Sequence, residues 1–187
     1  MPVRPKSNSN SFTGFKAVGI KEIIGKSHPK FDFLIEFVLD VEGSSYPVNM
    51  SLLGTFNKTA NGDIDSEDSS VKRIYRVLDG LGEGGGVDIK GNWVDENNNP
   101  ISDFAEYLSK KYITPEGQYP YKVYLYKGVP KTAGDKVYTR VYPKLVPNTK
   151  EGDEDLRGFI DFMISNAYLI VYDESQPKQP TAFNNQF

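Results

Sequence analysis

The chain contains no cysteine in 187 residues and a single histidine, His28. Without thiols there is no disulfide and no thiolate metal site, which fits an intracellular protein. A nucleophile paired with histidine would have to use His28. That residue precedes a proline in the basic turn of residues 26–30 (KSHPK), where a solvated loop side chain is expected. No apolar run approaches the roughly 18 residues that cross a bilayer, so the sequence reads as soluble. The acidic run Asp63, Asp65, Glu67 and Asp68 begins like a calcium loop and then departs from one. Asp68 stands where glycine is needed, and Ile74 where the closing glutamate would be. The glycine-rich run of residues 80–86 follows a helical stripe, whereas a dinucleotide-binding loop follows a strand and opens a helix. Acids are plentiful, yet the sequence singles out no carboxylate pair for metal-assisted chemistry. The expectation is a protein that is not an enzyme and holds neither cofactor nor metal.

What is present describes one globular domain with additions. Hydrophobic residues at 38% and aromatics at 13% allow one well-buried core in a chain of this length. Residues 1–14 carry charge with no apolar run behind it, and read as a flexible arm rather than a secretory signal. Residues 15–172 form the domain. Residues 173–187 are polar and proline-broken, and read as a flexible tail ending in Phe187.

Residues 15–25 predict a first strand with Val18, Ile20 and Ile24 to one side. The clearest strand follows: Phe31, Phe33, Ile35, Phe37, Leu39 and Val41 alternate with Asp32, Leu34, Glu36, Val38 and Asp40. After a short turn, Tyr46, Val48, Met50 and Leu52 keep the period, which implies an antiparallel hairpin. Residues 54–118 then leave the sheet. They begin as a polar surface loop and continue into a helix capped by Ser69 or Ser70, with Val71, Ile74, Val77, Leu78 and Leu81 on one stripe and glycines 80 and 82 ending it. Trp93 is expected at the core's edge, with base stacking as the alternative. A second helix, capped by Ser102, turns Phe104, Tyr107, Leu108 and Tyr112 inward. Residues 153–165 predict a third helix with Leu156, Phe159, Ile160 and Met163 on one face, and residues 167–172 (AYLIVY) fit a short buried strand or that helix's continuation.

The most informative stretch is residues 119–147, YPYKVYLYKGVPKTAGDKVYTRVYPKLVP, which reads as two strands joined by a basic loop. In the first strand Tyr121, Val123 and Leu125 share one face, and Lys122, Tyr124 and Tyr126 the other. In the second, Val137, Thr139, Val141 and Leu145 oppose Lys136, Tyr138, Arg140, Tyr142 and Lys144. With Lys127 and Lys131, and Asp135 as the single acid, the stretch has a local charge of +5 in a chain of net charge −3. A basic, tyrosine-lined surface suits single-stranded nucleic acid, because cations follow the phosphates and rings stack on bases of any identity. Tyrosine and lysine are also what an antiparallel sheet shows to water, or to a protein partner.

The order of elements, three strands, a helical insertion, two strands and a final helix, resembles the five-stranded OB barrel over about residues 15–147. In such domains the loops between strands 1 and 2 and between strands 4 and 5 flank the ligand. Here both are basic and include Lys26, Lys30, Lys127 and Lys131. The whole chain resembles the phage-encoded single-stranded DNA-binding proteins. That resemblance implies sequence-tolerant binding of exposed DNA strands during replication or recombination, in the cytoplasm of an infected bacterial host, with no membrane contact. It also implies partner proteins docking on a tail that ends in phenylalanine, and leaves room for a homo-oligomer. Two departures stand out. The tail carries few acids, and the second strand's outward Asp32, Glu36 and Asp40 have the wrong sign for phosphates, which moves the expected DNA path to the hairpin of residues 119–147. The alternative is a virion structural or assembly protein whose tyrosine-rich sheet face is a protein interface.

Overall fold

The computed structural model describes residues 12–173. Most of the expected arm, and the expected tail beyond Asp173 with its terminal Phe187, lie outside the described residues. The first three strands are β1 (Gly14–Gly25), β2 (Phe33–Val41) and β3 (Val48–Gly54), paired antiparallel in sequence order. Strict alternation on β2 buries Phe33, Ile35, Phe37, Leu39 and Val41 and leaves the residues between them half-buried. On β1 the alternation is interrupted. Ile20 opposes Leu39 and Glu22 opposes Val38, so Lys21 is an extra residue, a β-bulge. Beyond it the inward side shifts by one, and Ile23 is buried in place of the expected Ile24.

The helical insertion holds α1 (Ser69–Leu81) and α2 (Phe104–Tyr112), with a two-residue hairpin of β4 (Gly86–Val87) and β5 (Trp93–Val94) between them. Aspartates rather than the expected serines cap both helices. Asp68 accepts from the N–H groups of Ser70 and Val71, and Asp103 from that of Glu106. Ser70 instead turns its hydroxyl to the Thr55 carbonyl. Gly82, left-handed at φ 73°, closes α1. Gly80 lies inside the helix, where a side chain would overlap the Leu145 carbonyl, so this glycine permits close helix–strand approach. The small hairpin is held by two copies of one turn. Asp88 accepts from the N–H groups of Lys90 and Asn92, and Asp95 accepts likewise from Asn97 and Asn99. Trp93 stacks on Phe104 at 4.2 Å between ring centroids, at the edge of the core as expected.

A second buried acid of this region, besides the cap Asp68, is Glu83, inside the glycine run. Its carboxylate accepts from Gly85 N–H at 2.8 Å, the Tyr107 hydroxyl at 3.1 Å, the Tyr112 hydroxyl at 2.7 Å and Lys111 Nζ at 2.6 Å. Burial opposes its ionisation, but the Lys111 ammonium and the other donors outweigh that and hold its pKa below the usual value. Burial and the same carboxylate push the Tyr112 hydroxyl up to about 12. Lys111, at the end of α2, is thereby tied to a carboxylate in the glycine run.

After the insertion come β6 (Tyr121–Lys127), β7 (Thr139–Val141), β8 (Val146–Pro147) and α3 (Lys150–Ser165). β6 returns to lie beside β1, with Leu125 opposite Gly14 and Tyr121 opposite Val18. The spatial order β6-β1-β2-β3 is a Greek key, in which the fourth strand comes back by a long connection to the first. β7 and β8 pair with the two ends of β6, so the expected long fifth strand is broken in two. Pro143, which has no N–H to donate, falls in the break. The result is an antiparallel sheet of 6 strands that is not a closed barrel: no ladder joins β3 to β7, although the two approach within 8 Å between Cα atoms. Arg73 of α1 donates to the Leu53 carbonyl of β3 at 2.7 Å. No described helix is long and apolar enough to cross a membrane.

Candidate nucleic-acid interface

β6 sends alternate side chains into two cores. Val123 and Leu125 join Val18, Phe37, Leu39 and the apolar stripes of α1 and α2. Tyr124 and Tyr126 join a second cluster, built on Tyr142, Val146, Leu156, Ile160 and Leu169. The second cluster exists because α3 lies along β6. Thr149 caps the helix by accepting from Gly152 N–H, the acids Glu151 and Asp153 suit its positive end, and Leu156, Phe159, Ile160 and Met163 form its inward stripe.

On β6 the tyrosine face expected to meet a ligand is thus partly covered by the chain itself, with Tyr124 and Tyr126 half-buried. Tyr142 is only 8% exposed, and its hydroxyl oxygen accepts from Arg76 Nη1 at 3.1 Å. Burial pushes the Tyr142, Tyr124 and Tyr126 hydroxyls above their ordinary pKa. The lysines beside them are ion-paired to α3: Lys122 to Asp153 at 2.7 Å and Lys144 to Asp155 at 2.8 Å. Lys144 Nζ also stands 5.1 Å from the Phe159 ring centre. Arg157 bonds Asp153 at 2.7 Å and lies 4.2 Å over the Phe15 ring. These hydrogen bonds, from Arg157 first and then Lys122, hold the Asp153 carboxyl below its usual pKa. Lys122, Tyr124, Tyr126, Tyr142 and Lys144 are therefore committed to holding α3.

The loop between β6 and β7 has the opposite character. Pro130, Lys131, Asp135, Lys136, Tyr138 and Arg140 line an open groove of about 460 Å³. Lys131, Lys136 and Arg140 are exposed, and Tyr138 leaves 65% of its surface to solvent. Arg140 lies across Gly128, where a side chain would collide with its guanidinium, and its charge opposes the upward push of burial on the Tyr126 hydroxyl. Lys127 is half-buried at the root of the loop, and its carbonyl accepts from Tyr172 N–H at 2.8 Å. The arrangement offers three cations and one free ring around a concave surface, with Asp135 as its lone acid.

Lys26 and Lys30 stand apart from this groove. They follow the Gly25 end of β1, whereas the β6–β7 loop starts next to the Gly14 end, some 35 Å of strand away at about 3.3 Å per residue. Lys26 is paired with Glu36. Lys30 is exposed and donates its N–H to His28 Nδ1, and His28 rests on Phe31 with ring centroids 4.8 Å apart. The loops expected to bracket one groove lie at opposite ends of β1.

Residues 167–172 are neither a regular strand nor more helix. Ala167 takes φ 58°, ending α3, and the chain turns back so that Leu169 is buried and Val171 bridges Gly128. Compared with known proteins, the chain matches no family model, no curated protein and no solved structure.

Proposed function

We propose that the protein binds single-stranded DNA with little sequence preference, through the loop end of the β6–β7 hairpin. The observation that carries this reading is the groove of Lys131, Lys136, Tyr138 and Arg140, exposed and cationic on a chain whose net charge is −3. Cations lining one groove follow a flexible phosphate backbone, and Tyr138 supplies a face for one base. The fold behind it supports an OB-type domain: a Greek-key sheet whose end strands approach each other is a barrel left open at one seam, and the OB class includes partly open barrels. The outward face of β2 contributes little to such a ligand, because Glu36 and Asp40 repel phosphates. Binding exposed strands during phage DNA replication or recombination is the role this reading implies. The rival reading, a virion protein docking through the tyrosine-rich sheet face, has α3 already seated on that face.

The test is a fluorescence anisotropy titration of an oligo(dT) of about 20 nucleotides, longer than the site size of one such domain. Engagement of all three groove cations gives a slope near −2 in log affinity against log salt, at about 0.7 per phosphate neutralised. The Lys131→Glu/Lys136→Glu double variant should lose most of both affinity and slope. Absence of salt-sensitive binding by the unaltered protein at micromolar concentration would sink the reading.

A further inference from the structure

α3 has two chemically different halves. Glu151, Asp153, Glu154 and Asp155 crowd its first half, beside Lys122 and Lys144. Its last seven residues, 159–165, carry Asp161 as their one charge, and the following residues 166–172 carry none. In this sparsely charged part Phe162 is 56% and Tyr168 67% exposed, with ring centroids 6.1 Å apart, and Ile164 and Ile170 are also exposed.

The fold brings that aromatic pair towards the end of β6, where the basic loop begins. α3 starts over Lys122 at the beginning of β6, and the segment after it joins the end of β6 through the Val171–Gly128 bridge and the Tyr172 N–H to Lys127 carbonyl bond of 2.8 Å. Tyr168 is four residues before Tyr172, so it lies within about 14 Å of the root of the β6–β7 loop. Lys127, Lys131, Lys136 and Arg140 belong to the same end of the molecule.

The geometry points to a second contact surface for the ligand of that groove: Phe162 and Tyr168 form a platform on which bases of a single strand stack after its phosphates leave the Lys131–Lys136–Arg140 groove. This rests on the single-strand reading proposed above. The helix that covers the sheet tyrosines replaces them, at its far end, with rings that are open. The occupant is argued from size and charge. Two rings and two isoleucines expose an area on the order of a few hundred Å², a patch size typical of functional surfaces on monomers. Stable protein pairs of standard size bury about 800 Å² on each partner, more than these four side chains expose. Stacked bases need only the ring faces, and the adjoining cations suit the backbone between them.

Anisotropy titrations with the same oligo(dT) across a salt series separate the outcomes. Phe162→Ala and Tyr168→Ala should each weaken binding by about 5- to 10-fold or more while leaving the salt slope unchanged, since lost stacking retains no counterions. Lys131→Glu/Lys136→Glu should lower affinity and flatten the slope. Tyr46→Ala, removing an exposed ring at the β2–β3 turn, serves as the control and should bind like the unaltered chain. If the groove variant behaves as stated but the Phe162 and Tyr168 variants match the control, the platform is overturned and the groove stands. A dimer in sizing chromatography that Tyr168→Ala dissociates makes the patch a protein interface and also overturns it. If the unaltered protein binds no oligonucleotide, the single-strand reading fails and the platform loses its ligand with it.

Discussion

Residues 119–147 supply two surfaces from one vocabulary of tyrosine, lysine and arginine, and they meet opposite ends. On β6, Tyr124, Tyr126 and Lys122 lie under α3, with Tyr142 and Lys144 beside them. A few residues on, Lys131, Lys136, Tyr138 and Arg140 stand in solvent around an open groove. The difference lies in what the rest of the chain offers each surface. α3 presents apolar residues where the tyrosines are and carboxylates where the lysines are, while no described element carries such a complement to the loop. A row of tyrosine and lysine on a strand is therefore half of an interface, and its use depends on whether the chain holds the other half.

The comparison is broken most severely from beneath α3. Leu156 is fully buried, so Leu156→Ala should cost about 2–5 kcal/mol of stability, read from the midpoint of a urea unfolding curve. A cost under about 1 kcal/mol would mean that α3 is only loosely laid on the sheet.

Two tyrosines sharpen the comparison by separating its sides. Tyr138→Ala should weaken oligonucleotide binding by about 1–3 kcal/mol with unfolding almost unchanged, as expected for an exposed stacking ring. Tyr142→Ala should do the reverse, lowering stability by about 2–4 kcal/mol, because it empties part of the second core. Equal effects of the two on binding would merge the surfaces that the fold keeps apart.

A gentler effect comes from acid. Asp153 is held below the ordinary value of 3.8 by hydrogen bonds from Arg157 and Lys122. The unfolded chain takes up the proton first, so the stabilisation is complete above that value and is lost as pH falls through the lower folded one. Thermal melts from about pH 6 down to pH 3 should show the midpoint falling, and Asp153→Asn should fall less steeply. A variant with an unchanged pH profile would show that the Lys122–Asp153 pair adds nothing to α3 docking.

The smallest effect is expected at the other end of β1. Lys26→Ala and Lys30→Ala should leave oligonucleotide affinity within about 0.5 kcal/mol of the unaltered chain, since neither reaches the groove. A loss as large as that of Tyr138→Ala would restore the two-loop cleft that the basic turns suggest.

How far the sequence discloses this arrangement varies with the range of the interaction. The alternation of β2, the β2–β3 hairpin and the stripes of all three helices follow from local periodicity, and the structure has them. The bulge at Lys21 does not follow, because the alternation of β1 is imperfect on either side of it. The β4–β5 hairpin is only two residues per strand and is held by the Asp88 and Asp95 turns, so it shows no strand period. Glu83 hides inside a glycine run whose small residues let Tyr75 and the β5 backbone come close. The packing of α3 against Tyr124 and Tyr126 does not follow from alternation, although the Leu156, Phe159, Ile160 and Met163 stripe needs an apolar surface, and Asp153 and Asp155 match Lys122 and Lys144. Alternation tells which residues share a face, while pairing a face with its cover requires matching two distant segments.

The Greek key also sets a timetable. β1 pairs with β2 almost as soon as both exist, but its other edge waits for β6, which ends more than a hundred residues later in the chain. At synthesis rates of about 5–20 residues per second, that edge stands open for roughly 5–20 s on the ribosome. Thr114 arrives earlier, at the end of α2, and takes both backbone groups of Ile20, donating to its carbonyl at 2.8 Å and accepting from its N–H at 3.0 Å. The bulged half of β1 is thereby closed by the end of the insertion, and only the five positions from Gly14 to Val18 pair with the later strand.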